Sequence, residues 1–325
     1  MAQTYVRNRP RGYKDYIKNV AIVGAGGNVG KFITEALLKT GKHNVTAITR
    51  EGSSNTLPAG VNVAKVNYDD ESSLVAALQG QEVLIITMSV MAPPEQQTKL
   101  IDAAAVAGVP CVLPNEFGGD PLNTEFGNDI FLGPEKTKYR DYIEQLGKSS
   151  WIAIACGFCY GFDFENRAIT LMDNGTVKFN TTTWPQVDRA VASLLSMKIF
   201  PDNEDDTRPC LVNFKNKCVY ISSFLIGQKD MLDPVLRVTG TSLSDWKVTH
   251  TTAKERFQSG REELRKGNRA GFARLLYARH VFPESNGNFE ATKCIHNDIL
   301  GLPKEDFDEF TRKPRYTFPH AHAQN

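Results

Sequence analysis

Gly24, Gly27 and Gly30 stand between an apolar run, Val20 to Val23, and a helix-patterned run carrying Phe32, Ile33, Ala36, Leu37 and Leu38. Glycines in that setting let backbone amides at a helix start close on an anion, which is how a dinucleotide's pyrophosphate is held. Val29 occupies the place where the commoner G-x-G-x-x-G has its third glycine. The pattern is therefore G-x-x-G-x-x-G, with Asn28 and Val29 supplying amides of the first helical turn. The next apolar run ends at Thr49 and Arg50, where an acidic residue would bind the ribose 2′-hydroxyl of NAD. Arginine there suits a 2′-phosphate instead, so the expected cofactor is NADPH or NADP+.

A hydride enzyme also needs a group that moves a proton, and Tyr-x-x-x-Lys on one helix face is a common solution. None of the ten tyrosines has a lysine four residues later, so that pair is absent. The segment GPEKTKYRDYIEQLG offers Lys136, Lys138, Tyr139 and Tyr142 instead. Lys136, Tyr139 and Arg140 fall at i, i+3 and i+4 and are expected to share a face. Lys136 and Tyr139 are the catalytic candidates, with Lys138 as a rival.

These residues need a scaffold that gathers loops, and the chain supplies apolar strands alternating with helices. Residues 43–50, 61–70, 82–90, 109–118 and 150–162 read as the second to sixth strands, with helical patterns at 70–80, 93–108 and 137–147. Alternation of this kind predicts an α/β fold, a doubly wound parallel Rossmann sheet, with a smaller mixed α/β substrate lobe. Residues 1–17 form an N-terminal extension, and residues 18–157 the NADP-binding domain. Residues 158–325 form the substrate lobe, interleaved with the last Rossmann elements. Within that lobe TVKFNTT and CVYISS read as short strands. VDRAVASLLSM, SFLIGQKDMLDPVLRVTG and TAKERFQSGREELRKG read as helices.

Ligands of open parallel sheets bind beyond the carboxyl ends of the strands. The loops there contain Ser53 after the second strand, Thr87 and Ser89 after the fourth, and Asn115, Glu116 and Phe117 after the fifth. Phe158 and Tyr160 follow the sixth. Thr87, Ser89, Asn115 and Lys136 are expected on the cofactor, and Glu116, Phe117, Phe158 and Tyr160 in a substrate pocket suited to a flat, conjugated molecule.

Over 325 residues, 38 Lys and Arg nearly cancel 37 Asp and Glu, so no nucleic-acid partner is expected. No run is long and apolar enough for a membrane span, and the basic N-terminus lacks an apolar centre, so a cytoplasmic location is expected. The six cysteines are too sparse for a disulfide scaffold, and Cys156 and Cys159, although spaced as C-x-x-C, end an apolar strand and are expected to be buried. No metal site is expected, since His320 and His322 lack further ligands.

With VGAGGNVG, TREGS, LPNEFG, the K-x-x-x-R-x-x-I-E segment ending at Glu144, NKCVYISS and NDILGLPKEDFDE, the chain resembles the NmrA-like branch of atypical short-chain dehydrogenases over about residues 18–310. That branch includes isoflavone and phenylcoumaran benzylic ether reductases, and the chain looks closest to fungal isoflavone-reductase-family proteins of the CipA type. The resemblance implies that Lys136 is the general acid or base and that Arg50 and Ser53 hold the 2′-phosphate. It aligns Asn67 with an Asp that meets the adenine in many relatives, and puts Asn115 and Asp141 where plant members have Ser and Arg. The implied activity is NADPH-dependent reduction of a conjugated or aromatic small molecule in secondary metabolism, by a monomer or homodimer. Two alternatives stay open. One is a redox-neutral cyclase or isomerase on the same NADP scaffold, and the other a non-catalytic NADP-binding redox sensor.

Overall fold

Strands buried on both faces must be apolar throughout, and Val20, Ala21 and Ile22, like Val83 to Ile86, are wholly shielded from solvent. In the computed structural model, which describes residues 4–90, 92–131, 133–157, 166–284 and 287–312, they lie at the centre of one sheet. β1 (Asn19–Val23) turns through the glycines into α1 (Asn28–Lys39), followed by β2 (Asn44–Arg50), β3 (Asn62–Val66) and α2 (Glu71–Leu78). Next come β4 (Val83–Ile86), α3 (Pro94–Ala107), β5 (Cys111–Leu113), α4 (Thr124–Asp129), α5 (Gly133–Leu146) and β6 (Ser150–Ala155).

The second half contains β7 (Ala168–Met172), β8 (Phe179–Thr181), α6 (Trp184–Ser196), β9 (Lys217–Tyr220), β10 (Phe224–Ile226) and α7 (Gln228–Thr239). β11 (Lys247–Thr251), α8 (Ala253–Arg265), α9 (Ala270–His280) and α10 (Phe307–Thr311) complete it. The seven-stranded sheet runs β3-β2-β1-β4-β5-β6-β9, and every neighbouring pair is parallel. This is a doubly wound Rossmann sheet whose order reverses between β1 and β4, where a crevice opens at the carboxyl ends.

Each face of the sheet has its own core. Ile22, Ile33, Leu37, Val191 and Leu195 pack between the sheet and α1 and α6. Ile86, Leu100 and Ile143 pack under α3 and α5 on the other face. A third core, built on Met231, Val235, Phe257 and Leu275, belongs to the smaller lobe, which holds the antiparallel pair β8 and β10 and the parallel pair β7 and β11. The chain leaves this lobe twice. α6 covers α1, and β9 pairs with β6 at the edge of the main sheet.

One expectation is corrected. Residues 223–240 were expected as a single helix, but Phe224 to Ile226 pair with β8 and only Gln228–Thr239 is helical. Gly227 divides them, because a side chain there would stand 2.9 Å from the Gly175 carbonyl oxygen, while its N–H donates to Asp230 at 2.7 Å and starts α7. At the other end, Asp15 accepts from the N–H groups of Ile199 and Phe200 at 3.2 and 3.0 Å, strapping the N-terminal segment beside the core. Among the described residues no helix is long and apolar enough to cross a membrane.

Candidate active site

The glycine turn is clasped to the end of β4. Gly24 has φ +83°, and a side chain there would be driven into the Thr87 carbonyl. One on Gly30 would strike the Gly24 carbonyl and Thr87 Oγ1. Thr87 fixes this geometry by donating both its N–H (3.0 Å) and its hydroxyl (2.7 Å) to the Val23 carbonyl. α1 then begins with Gly27 as a cap that offers no side-chain bond, and no acid stands in its first turn. The first-turn amides, those of Asn28 and Val29 among them, thus have neither an intrahelical partner nor a competing carboxylate. A cradle that excludes side chains at the positive end of a helix fits a pyrophosphate. Gly26, which the motif leaves unassigned, is needed as well. The Thr56 carbonyl lies 2.6 Å from where its Cβ would be, so the loop after β2 folds over the turn.

Arg50 is exposed at the end of β2, and its guanidinium makes no hydrogen bond or ion pair among the described residues. Its charge acts on Tyr68, whose phenol is pushed up by burial and partly drawn back by Arg50. Ser53 is exposed beside it and donates its N–H to the Arg50 carbonyl at 3.1 Å. Asn67 is also exposed, but its side-chain oxygen accepts from the Asp69 N–H at 2.9 Å, closing its own turn. Farther along the crevice Asn115 donates to the Met88 carbonyl at 2.9 Å, joining the ends of β5 and β4. Ser89 is exposed, with its carbonyl taken by the Ala92 N–H at 3.0 Å.

Beyond β5 the loop makes a cramped turn, with the Glu116 N–H 2.6 Å from the Pro114 carbonyl, and carries Glu116 inward to 2% exposure. Arg140 reaches it from α5, donating to Oε2 at 2.8 Å, to the Pro121 carbonyl at 2.9 Å and to Thr137 Oγ1 at 3.3 Å, with its guanidinium over Trp151. Lys136 lies one turn earlier on the same helix and lines the same pocket as Glu116 and Phe117. Burial lowers the Lys136 ammonium from the usual lysine value, against the opposing pull of Glu116. The same burial raises Glu116, with Lys136 and Arg140 holding it down. Cys156, at the end of β6, is pushed up to about 12 by burial and stays a thiol at neutral pH. Its N–H and that of Gly157 both donate to the Gly118 carbonyl at 2.9 Å, which locks β6 to the pocket loop.

Tyr139 does not join this group. It is 6% exposed, packs in the core under α3, and donates its hydroxyl to the Pro94 carbonyl at 2.8 Å. The expectation that it shares a working face with Lys136 is corrected. Successive residues turn by about 100°, so i+3 and i+4 fall on opposite flanks of residue i. Arg140 takes the pocket flank and Tyr139 the core flank. Lys138, Tyr139 and Tyr142 line a neighbouring cleft that shares Thr124 and Thr137 with this pocket, and the Tyr142 hydroxyl donates to Asp102 at 2.5 Å. Phe158, Tyr160 and Cys159 lie outside the described residues, as do His320 and His322. The far wall of the pocket comes from residues the sequence did not mark, Phe126 and Ile130 around α4 and Phe272 and Leu276 on α9. The spacing of Phe272 and Leu276 shows an apolar stripe, but nothing local says that the stripe faces the end of β5. Among the described residues no group of three or more His, Cys, Asp and Glu is arranged to hold a metal.

With this geometry in hand, comparisons with known proteins converge. The NmrA-like family model matches residues 17–205. Oxidoreductase aprR of Aspergillus flavus is 30% identical over 305 residues, spanning 89% of this chain and 96% of its own length. Among solved structures, the pinoresinol-lariciresinol and phenylcoumaran benzylic ether reductases superpose with TM-score 0.72 at 19% identity, covering 92% of this chain and 99% of theirs. Leucoanthocyanidin reductase of Vitis vinifera bound to NADPH gives 0.71 at 15% identity, covering 90% and 98%.

Proposed function

Because the chain belongs to the NmrA-like family, we propose that it is an NADPH-dependent reductase of a conjugated or phenolic small molecule in secondary metabolism, with Lys136 carrying the proton. One observation supports this most directly. Lys136 is a desolvated lysine in an otherwise largely apolar pocket, beside the crevice into which the glycine cradle opens. The oxidoreductase activity in the name of its Aspergillus relative, and the NADPH held by the Vitis reductase, agree with that reading.

The residues divide the work. Gly24, Gly27 and Gly30 leave room for the pyrophosphate against the α1 amides, and Arg50 with Ser53 receives the 2′-phosphate. Asn67, Thr87, Ser89 and Asn115 line the rest of the cofactor's path. When bound, the dinucleotide supplies the hydride. Phe117, Phe126, Ile130, Phe272 and Leu276 enclose the substrate and exclude water. Exclusion strengthens every charge inside, so the Lys136 ammonium or amine exchanges a proton with the substrate oxygen at low cost near neutral pH.

The test is NADPH oxidation followed spectrophotometrically against a panel of conjugated ketones, quinones and phenolic ethers. In Lys136→Met kcat/KM should fall by about 10²-fold or more, well beyond any loss of NADPH affinity. Turnover without net NADPH oxidation would instead identify a redox-neutral catalyst.

A further inference from the structure

We propose that Glu116 is the positioning partner of Lys136: its second carboxylate oxygen, Oε1, is the acceptor onto which the lysine ammonium closes. The inference rests on reading Lys136 as the proton carrier, and adds the group that helps it hold its proton.

Glu116 is bonded on one side only. Arg140 occupies Oε2, whereas Oε1 is buried and has no hydrogen-bond partner among the described residues. A buried carboxylate oxygen without a donor is costly, so a fold that retains one has a use for it. The terminal Arg140 nitrogens are engaged elsewhere, Nη1 on Oε2 and Nη2 on the Pro121 carbonyl and Thr137, and neither bonds Oε1. Lys136 is the other cation of α5 that lines this pocket, and its charge acts on Glu116 together with that of Arg140. Rotation of its flexible four-carbon stem can carry the ammonium onto Oε1 or away to a substrate.

The other ionisable groups near the pair are few. They are Arg140 on α5, Cys156 at the end of β6, Cys218 on β9 and Asp120 in the pocket loop. Both thiols are pushed up to about 12 by burial and carry no charge near neutrality. Asp120 is engaged elsewhere, its Oδ1 accepting the Tyr220 hydroxyl at 2.8 Å and the Leu122 N–H at 2.9 Å and its Oδ2 pairing with the Lys293 ammonium at 3.8 Å. Glu116 therefore supplies the principal negative charge within reach of Lys136. Were Glu116 present only to fasten the loop to α5, glutamine would serve equally, since its amide oxygen also accepts from Arg140.

Glu116→Gln separates the two roles. The readout is the pH dependence of Lys136 acetylation by a small anhydride, followed by mass spectrometry. Its midpoint should fall by about one pH unit in the variant, and the limb of kcat/KM that reports Lys136 should move to lower pH with it. Coupling is reciprocal, so Lys136→Met should raise the Glu116 carboxyl titration, seen by carbon-13 NMR, by a similar amount. Unmoved midpoints in both variants would overturn the proposal. Should Glu116→Gln fail to fold, a stationary Glu116 titration in Lys136→Met would overturn it alone. Neither titration needs substrate, so coupling in a chain that never oxidises NADPH would sink the reductase reading and keep this one, and turnover without coupling would do the reverse.

Discussion

Arg50 carries a full positive charge at the end of β2, and the described residues provide no acid to answer it. A fold gains little from such a residue, so its value lies in a ligand, and removing it should leave stability almost unchanged. Arg50→Glu is expected to weaken NADPH binding by roughly 2 kcal/mol or more, about 30-fold, while NADH binding changes far less. Calorimetry with both nucleotides checks this, and equal losses would remove the 2′-phosphate from Arg50. The residues of this cradle could be read from sequence because glycine and arginine at fixed offsets have few other reasons to be there. Tyr139 could not be placed that way. Helical spacing says which residues are near one another, but the choice of flank depends on the Pro94 carbonyl and the α3 core, contacted from distant parts of the chain. The apolar wall of Phe272 and Leu276 was hidden for the same reason.

α4 and α9 together build the far wall of the pocket, and ionic bonds tie them together. Arg279 is almost wholly buried and donates to Asp129 at 2.5 Å and to Glu125 at 3.3 Å. Its neighbour His280 is buried between the rings of Phe126 and Phe179, and burial lowers its pKa from 6.5 to about 4. The folded state thus refuses a proton that the unfolded chain accepts. Stability contributed by neutral His280 is complete above about pH 6.5 and drains away as pH falls toward 4, by on the order of 3 kcal/mol. Melting temperatures across that window should fall less steeply for His280→Gln than for the parent. Parallel slopes would show that His280 does not drive the loss. Element boundaries in this lobe were the hardest to anticipate. β7, β10 and β11 are short and only partly buried, so their sequences lack the continuous apolar run that marks β1, β4 and β6.

The whole molecule is organised on one large sheet, most of which is built locally while its β9 edge is not. Six strands, β1 to β6, come from the first 155 residues, and their buried runs made that order readable in advance. The seventh, β9, returns from beyond the first strands of the small lobe and α6, and no local pattern announces that Lys217 to Tyr220 will settle against Ile152 to Ala155. That return matters before the protein is finished. During synthesis β6 emerges first and waits for β9, roughly sixty residues later, an interval on the order of several seconds at about 5–20 residues per second. Throughout it an apolar parallel strand has a bare row of amides and carbonyls able to recruit the same strand of a neighbouring nascent chain. A chain stopped after Met197 should accordingly sediment as aggregate, and one extended through Ser223 should stay dispersed. Equal solubility of the two would show that β6 is shielded some other way. The last strand is thus a closure on the order of manufacture, setting how long each new copy is vulnerable to its siblings.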